Sequence, residues 1–399
     1  MHKNLDHFNS VSNKKNATDL IKSFINENAQ MYSRLRNFDF GSIEKNFVSG
    51  LSPAISHRLI TEHNFVKEIL KKYPFRKVEK LVQEICWRTY WKGYLEHHKS
   101  IWNNYKLDLE RLKENKITDK YISAVEGNTQ IRCFNDWTNE LRDNGYLHNH
   151  TRMWYASIWI FTLKLPWQLG AEFFMQNLLD ADAASNTLSW RWVAGLHTKG
   201  KTYLARPSNI MKFTNNRYHP QNELANYAKI QTEDHNVMPN SITYTNYEKP
   251  RKVKCLLIHE NDVSLEDIPN FDHLFVQKSH CSTINRSNLV KNYVDNLLSD
   301  CLRRSLKKSK QKPKIFNFSD KTKLKDFVNE NEIKNIFTHY PGIGYLKDEL
   351  NHFSKVSGIN MKYFITDWDS GLWPHASKGF FKLKKKIPEI LGDMLRDQT

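Results

Sequence analysis

GYLHNHTRMWYASIWIFTLKLPWQLGAEFF, residues 145–174, is more aromatic and richer in His, Asn and Arg than a core helix requires. With helical periodicity, Asn149, Arg152 and Met153 fall at positions i, i+3 and i+4 and project from one face. An amide, a guanidinium and a thioether therefore meet at one patch.

A second helical face carries a similarly polar stripe, within LVQEICWRTYWKGY at residues 81–94. Four residues at i, i+3, i+4 and i+7 share this face: Glu84, Trp87, Arg88 and Trp91. A carboxylate, two indoles and a guanidinium make the stripe too polar to be pure core.

A third segment, DADAASNTLSWRW at residues 180–192, places two carboxylates shortly before two tryptophans. Asp180 and Asp182 precede the predicted helix. Trp190 and Trp192, two residues apart within it, point to different sides, which predicts different roles for the two indoles. Buried carboxylates need cationic partners, and Arg152 can supply one to Asp180.

Composition limits the class of protein. The 399 residues include 60 Lys and Arg against 43 Asp and Glu, a formal net charge of +17, which favours a polyanionic partner such as nucleic acid. The five cysteines show no metal-ligand spacing, so we expect neither a metal site nor a disulfide framework. With no apolar leader and no run of 18 apolar residues, we expect a cytoplasmic protein that does not span a membrane.

The apolar pattern divides the chain into two regions. A 3.6-residue period predicts an all-helical region over residues 1–220, with helices at 17–25, 54–71, 75–98, 131–144, 150–163, 167–179 and 186–196. After a linker at 221–251, residues 252–399 alternate helical stretches with short apolar runs, at 253–259, 273–277, 314–318, 335–340 and 362–366. That alternation predicts a smaller α/β domain with a parallel, Rossmann-like sheet.

The end of the sequence is aromatic and basic, WDSGLWPHASKGFFKLKKKIPEIL. Trp368, Trp373, Phe380 and Phe381 are expected to dock the last helix onto the body of the protein. Another basic run, RRSLKKSKQKPK at 303–314, is interpreted as a solvated helix end and loop.

Over roughly residues 30–220 the sequence resembles the flavin-binding domain of the photolyase and cryptochrome family. The family's Thr-Ser-x-Leu-Ser, Glu-x-x-Trp-Arg, His-Asn-Arg-x-Arg-Met and Asp-Gly-Asp … Asn-x-Gly-Gly-Trp-x-Trp motifs all have counterparts. These are, in order, Val48, Ser49, Gly50, Leu51 and Ser52; Glu84, Trp87 and Arg88; His148, Asn149, His150, Thr151, Arg152 and Met153; and Asp180, Asp182, Asn186, Trp190 and Trp192. The resemblance implies a mostly helical FAD-binding domain of photolyase type.

FAD is the cofactor that the resemblance implies. Hydroxyls and backbone amides at Ser49 and Ser52 would hold the pyrophosphate at the helix that follows. Asp182 would meet the polar edge of the flavin ring, Arg152 its reactive centre, and Asn186 its N5. The full set of implied cofactor ligands is Val48, Ser49, Gly50, Leu51, Ser52, Arg88, Asn149, Arg152, Asp180, Asp182 and Asn186.

UV-damaged DNA is the implied substrate, and a blue-light-driven deoxyribodipyrimidine photo-lyase the implied enzyme. The lesion would be flipped into a pocket walled by Trp87 and Trp192. Its other contacts would be Glu84, which hydrogen-bonds or protonates the dimer, Met153, and His150, which replaces the family's dimer-contacting Arg. Because Asn149 and Met153 depart from the His-His-x-x-Arg-His pattern of (6-4) enzymes, cyclobutane dimers are favoured.

Photoreduction in the family runs through a chain of tryptophans. Trp190 matches the donor beside the flavin and Trp167 the middle member, so both join Glu84 and Asn186 as implied catalytic residues. The surface member aligns with Ala124, which cannot carry an electron. Four aromatic residues are open substitutes: Tyr121, Trp137, Trp154 and Trp159.

The family ordinarily places its α/β domain before the flavin domain, whereas here the α/β pattern follows it. Whether this domain holds an antenna chromophore stays open, since it has neither a GxGxxG nor a Walker motif. A (6-4) photolyase, a cryptochrome-type photoreceptor and a flavin-free nucleic-acid binder remain alternatives. The expected form is a monomer.

Overall fold

The helical region contains twelve α-helices in the part of the chain that a computed structural model describes, which is residues 7–8, 11–41, 46–115, 117–233, 237, 239–240, 247–308 and 311–396. They are α1 Lys14–Glu27, α2 Tyr32–Leu35, α3 Ser52–Ser56, α4 Glu62–Lys72, α5 Phe75–His97, α6 Ser100–Asn115, α7 Asp119–Glu126, α8 Arg132–Asn144, α9 Asn149–Ser157, α10 Trp167–Asn177, α11 Ala183–Val193 and α12 Pro207–Phe213.

Two predicted helices differ from the observed ones. The single helix predicted at 54–71 is wrong: it is broken into α3 and α4, because Arg58 adopts a left-handed backbone (φ +50°) and the Thr61 hydroxyl caps a new helix at Asn64 N–H. The helix predicted at 150–163 continues past α9 as a π-helical turn, Ile158–Thr162. A π-turn inside a helix shifts the side chains that follow it.

The α/β region forms one five-stranded sheet, and all its strand pairs are parallel, as the sequence predicted. The strand order is β3-β2-β1-β4-β5, a Rossmann-like order with its switch between β1 and β4. The elements are β1 Lys252–Ile258, β2 Asn270–Gln277, α13 Asn288–Ser305, β3 Lys314–Phe316, α14 Lys321–Glu330, β4 Asn335–His339, α15 Tyr345–Ser357 and β5 Asn360–Phe364.

One hydrophobic core runs through both regions, joining helices of the first to β1, β2 and α13 of the second. The contact also contains polar pairs, such as Trp102 Nε1 with Asp348 Oδ2 at 3.1 Å. The assignment of domains to 1–220 and 252–399 stays a prediction, and residues 234–236, 238 and 241–246 of the linker lie outside the described part.

The C-terminal segment returns to the helical region. It consists of α16 Asp367–Leu372, a 3₁₀ turn at Trp373–His375 and α17 Phe380–Arg396, and all three contact α5. Trp368, Trp373 and Phe380 are buried there, as expected. The docking role expected for Phe381 is wrong, because its side chain is 76% exposed. Among the described helices, none is both long and apolar enough to cross a membrane.

Candidate functional site

A cavity of ≈ 440 Å³ lies among α5, α9 and α11 and the segment before α3. Its volume falls within the roughly 300–1,000 Å³ typical of small-molecule sites. Most predicted site residues line it: Val48, Ser49, Gly50, Ser52, Glu84, Trp87, Arg88, Asn149, Arg152, Met153, Asp180, Asp182, Asn186, Trp190 and Trp192. Three predicted site residues do not: Leu51, His150 and Trp167.

A charged wall of the cavity is built on Asp180. Arg152 Nη2 contacts Asp180 Oδ2 at 2.9 Å, and Arg88 Nη2 lies 4.0 Å from the same oxygen. Burial alone would raise the pKa of Asp180, but the two guanidinium groups hold it below its usual value. Asp180 Oδ1 is buried and has no hydrogen-bond partner of good geometry in the described structure. A polar ligand group in the cavity would satisfy such an atom.

Both carboxylate oxygens of Asp182 bind groups of the protein itself, which its position in the sequence does not indicate. Its Oδ1 accepts a hydrogen bond from Ser185 N–H at 2.8 Å and so caps α11, while its Oδ2 pairs with Arg88 Nη1. Both oxygens are therefore engaged within the protein. Asp182 still lines the cavity, where its charge is shared with Arg88.

Asn186 and Trp190 come from the buried face of α11. The Asn186 amide nitrogen donates to the Ala171 carbonyl at 2.7 Å, which fixes the amide plane and leaves its Oδ1 as the acceptor for a ligand. Trp190 Nε1 is buried and has no hydrogen-bond partner in the described structure. Asn186 Oδ1 and Trp190 Nε1 can thus form hydrogen bonds with a bound molecule.

The segment before α3 forms a tight turn along the cavity. Gly50 has φ +64°, a conformation that other residues rarely adopt, and Leu51 N–H lies 3.3 Å from the Ser49 hydroxyl. Leu51 itself is completely buried and faces the core. Because α3 is only five residues long, its dipole adds little, so hydroxyls at Ser49 and Ser52 are the stronger candidates for phosphate contacts.

A second set of lining residues, the second wall, is aromatic and carries one carboxylate. Trp87, Met153 and Trp192 line the cavity together with Glu84, whose Oε1 lies 2.8 Å from Lys80 Nζ. Trp192 stacks on Tyr203 at 5.8 Å between ring centroids. These residues, which come from α5, α9 and α11, therefore border one space, and their individual roles stay predictions.

His150 does not reach the cavity. Its ring stacks on Trp154 at 4.2 Å, and its Nδ1 lies 2.9 Å from the Asn37 carbonyl. Adjacent residues on a helix point about 100° apart, so when Asn149 faces the cavity His150 turns toward the core. The role of substrate ligand expected for His150 is therefore not supported by its position.

An aromatic path leaves the cavity at Trp190. Its ring centroid lies 6.1 Å from that of Trp159, which lies 5.9 Å from that of half-buried Tyr121. Gly170 permits the close approach, because a Cβ there would lie 2.3 Å from Trp190 Cη2 and 2.9 Å from Trp159 Cε2. Trp159 and Tyr121 were two of the open substitutes in the sequence.

Trp167 lies off this path. Its ring stacks on Tyr105 at 5.7 Å, and within the described chain Trp190 has ring contacts with Trp159 and Phe174 but none with Trp167. Ala124 is completely buried in α7, the helix that also carries Tyr121. Trp159 thus contacts Trp190 directly, and the role that the resemblance implies for Trp167 stays a prediction.

Sequence reasoning missed two contributors to the site. Tyr146 lines the cavity, with the Arg152 guanidinium 5.4 Å from its ring centroid. The Ser56 hydroxyl donates to the Asp180 carbonyl at 2.9 Å and accepts from Arg88 at 3.2 Å. Tyr146 stands in the segment quoted at the outset, but no local pattern marks Ser56.

Comparison with known proteins gives consistent results. Residues 81–229 match the family model described as the FAD binding domain of DNA photolyase. The chain is 29% identical over 247 residues to a deoxyribodipyrimidine photo-lyase of Buchnera aphidicola, covering 56% of this chain and 51% of that protein. It is 29% identical over 214 residues to a cryptochrome DASH of Idiomarina loihiensis, covering 52% and 46%.

The chain thus spans about half the length of the curated relatives it matches. Among solved structures, a class III photolyase from Agrobacterium tumefaciens aligns with a TM-score of 0.43 and 24% identity, over 51% of this chain and 43% of that one.

Proposed function

We propose that this protein, whose residues 81–229 match the FAD binding domain of DNA photolyase, is a light-driven photolyase that opens cyclobutane pyrimidine dimers in DNA. The supporting observation is one cavity that joins two chemically different walls. One wall carries Arg152, Asp180 and Asn186, and the other carries Trp87 and Trp192. A protein that only senses light does not need the second wall.

The first wall is proposed to hold the flavin. Arg152 and Arg88 offer donors, Asp180 keeps an unpartnered acceptor, and Asn186 offers a fixed amide oxygen. Ser49 and Ser52, at the near end of the cavity, are the proposed phosphate contacts. When bound and reduced, FAD supplies the electron that opens the cyclobutane ring after excitation by blue light.

The second wall is proposed to hold the extruded dimer. A base pair inside a duplex cannot enter a buried cavity, so the dimer must leave the stack. Trp87 and Trp192 give it apolar surfaces, each stacked base contributing about 1–3 kcal/mol. Glu84 is the group placed to hydrogen-bond the polar edge of the pyrimidines, and Met153 fills the space between.

The positions of two histidines favour cyclobutane dimers over (6-4) photoproducts. A (6-4) enzyme needs a histidine acid facing its lesion, and neither His148 nor His150 lines the cavity. Burial lowers the pKa of His148 to about 4, so it is neutral at physiological pH. Glu84, which pairs with Lys80 Nζ at 2.8 Å, is the proposed hydrogen-bond acceptor for the lesion.

Electrons that maintain the active state are proposed to travel along Trp190, Trp159 and Tyr121. Each step moves one electron toward the cavity, and Tyr121 releases its proton to solvent as it is oxidised. A thiol in solution then returns an electron and a proton to Tyr121. The path depends on ring contacts of about 6 Å that the structure displays.

The test is a repair assay of the chemically reduced protein, under blue light and in darkness, on oligonucleotides with a cyclobutane dimer or a (6-4) photoproduct. Light-dependent restoration of the cyclobutane dimer alone is the expected result. Repair of the (6-4) lesion alone would overturn the substrate assignment. A yellow, photoreducible protein that repairs neither lesion would be a photoreceptor instead.

A further inference from the structure

Two adjacent phenylalanines at the start of α17 have opposite environments. Phe380 stacks on Trp87 with ring centroids 3.8 Å apart and planes inclined by 13°, and it meets the edge of Tyr90 at 5.4 Å. Phe381 is 76% exposed. Because Trp87 lines the cavity, this contact packs the start of α17 against a residue of the cavity wall.

Lysines share the exposed face of Phe381. Lys382 and Lys385 lie one and four residues after it, so the three side chains project from one side of the helix. Both lysines are exposed, and neither side chain forms an ion pair or hydrogen bond within the described part of the chain. An aromatic ring and two uncompensated cations thus form one surface, here called the α17 face.

Other cations of the same helix have acidic partners. Lys384 Nζ lies 4.0 Å from Glu79 of α5, and Lys386 Nζ lies 2.8 Å from Glu389. The first contact holds α17 along α5, one turn of helix before Glu84 of the cavity wall. The α17 face is therefore the part of the helix whose charge is left for a partner.

The second basic run of the sequence behaves differently. Arg303 and Arg304 pair with Asp300 at 2.5 and 2.7 Å, and Lys308 donates to the Leu265 carbonyl at 2.5 Å. Arg304 also donates to the Val263 carbonyl at 2.6 Å. These three cations are satisfied within the protein, so they are less available to a polyanion than Lys382 and Lys385.

We propose that the α17 face, Phe381 with Lys382 and Lys385, is a DNA-binding surface that holds the strand beside the cavity. The inference rests on the proposed photolyase function. Lysines bind phosphates through charge, independently of sequence. A solvent-exposed aromatic ring next to them offers a stacking surface for a base at the site that the extruded dimer has left. The charge of the surface selects a polyanion over a second, equally basic copy of the chain.

The experiment measures affinity for an oligonucleotide with a cyclobutane dimer and for its undamaged counterpart, by fluorescence anisotropy across a salt series. The variants are F381A and K382Q/K385Q. The matched control is L306A/K307Q, which alters an exposed apolar residue and an exposed lysine in the other basic run. Flavin absorbance verifies that each variant retains its cofactor site, and since Phe381 is exposed, its loss should leave folding unchanged.

We expect F381A to weaken binding of the damaged oligonucleotide by about fivefold or more. K382Q/K385Q should reduce the slope of log affinity against log salt by about 2, one phosphate contact for each lysine. The control should match wild type in both respects. Variants that bind as wild type does, or a control that weakens binding equally, would overturn the inference.

The same measurements distinguish a failure of the proposed photolyase function from a failure of the α17 face. Wild-type protein with no measurable affinity for either oligonucleotide would refute the DNA substrate and, with it, the α17 face as a DNA surface. Wild-type binding without any effect of the variants would refute only the α17 face. Sedimentation of F381A and of the wild type tests whether the α17 face binds a second copy of the chain instead. A change from dimer to monomer without a change in DNA affinity would assign the face to self-association.

Discussion

Two buried clusters of arginine and carboxylate groups in this protein look alike in composition but differ in their surroundings. In the cavity cluster, Arg152 pairs with Asp180 and keeps 22% of its side chain exposed. In the interface cluster, Arg58 is only 6% exposed and pairs with Asp262, which follows β1, and with Asp369 of α16. The first cluster borders a space that a ligand can fill, and the second joins two regions of the protein.

The difference shows how position decides what a buried ion pair does. Arg58 also lies 3.4 Å from Glu62, and burial would lower its pKa, but the three carboxylates raise it above its usual value. The guanidinium is thus held charged by the protein itself. Both clusters contain buried carboxylate oxygens without a hydrogen-bond partner in the described structure, Asp180 Oδ1 in the first and Glu62 Oε1 and Asp369 Oδ1 in the second, but Asp180 lines a cavity in which a ligand can supply the missing partner.

The strongest way to test this contrast is R58A. Removing the cation leaves buried carboxylates uncompensated, so the free energy of unfolding should fall by about 3–5 kcal/mol. Urea denaturation measures the change. R303A is the control, since Arg303 is 66% exposed and its pair with Asp300 should contribute at most about 1 kcal/mol. Equal effects of the two variants would contradict the assignment of Arg58 to the interface.

Glu96 is a third buried acidic group to compare. It lies at the interface between the helical and α/β regions, and its charge is not fully compensated. It accepts hydrogen bonds from Ile343 N–H at 2.8 Å and Tyr340 Oη at 3.0 Å, and burial raises its pKa to about 7. A raised acid pKa means that the folded state holds its proton longer than the unfolded state. Stability from this group is therefore greatest at low pH and declines as pH rises from about 4.5 toward 7.

The expected decline is up to about 3 kcal/mol across that interval, from the difference between the two pKa values. E96Q should remove this part of the pH dependence, because the glutamine oxygen can accept from Ile343 N–H and its amide nitrogen can donate to Tyr340 Oη, without a charge. Urea midpoints at pH 5, 6, 7 and 8 measure it. A wild-type slope that persists in E96Q would place the titration in another group.

D180N tests the cavity cluster itself. The amide keeps the shape but loses the charge that faces two arginines, so we expect loss of flavin from the purified protein with a stability cost of about 1–3 kcal/mol. D300N is the matched control, because Asp300 is a buried carboxylate paired with two arginines away from the cavity. It should cost similar stability and retain the flavin absorbance. Loss of flavin from both variants would point to general destabilisation.

Substitutions in the aromatic path are expected to have the smallest effect on stability and the most specific effect on flavin photoreduction. Trp159 and Trp167 are both buried, so W159F and W167F should perturb the fold to a similar, small extent. Only W159F should lose most of the rate at which light reduces the bound flavin in the presence of a thiol. The measurement is flavin absorbance during blue illumination. The opposite result would restore Trp167 as the middle member.

Much of the fold and of the cavity was predictable. The five strands and the helices around the site follow from apolar periodicity, since burial of one helix face or of a strand core is a local property of the sequence. Within each motif, regular spacing on a helix fixes which side chains share a face, so Glu84 could be grouped with Arg88, and Asn149 with Arg152, from the sequence alone. The break between α3 and α4 was not predictable, because it depends on Arg58, whose partners are distant in sequence.

The sequence by itself determined which chemical groups surround the site, because types and spacings of residues on one helix are written in it. Only the tertiary structure decided which of those groups meet. It turned His150 toward Trp154, put Trp159 rather than Trp167 next to Trp190, and left Phe381 exposed beside Phe380. These side-chain positions depend on how the helices cross and on what packs between them. Contacts between residues distant in sequence therefore determine them, and local periodicity does not.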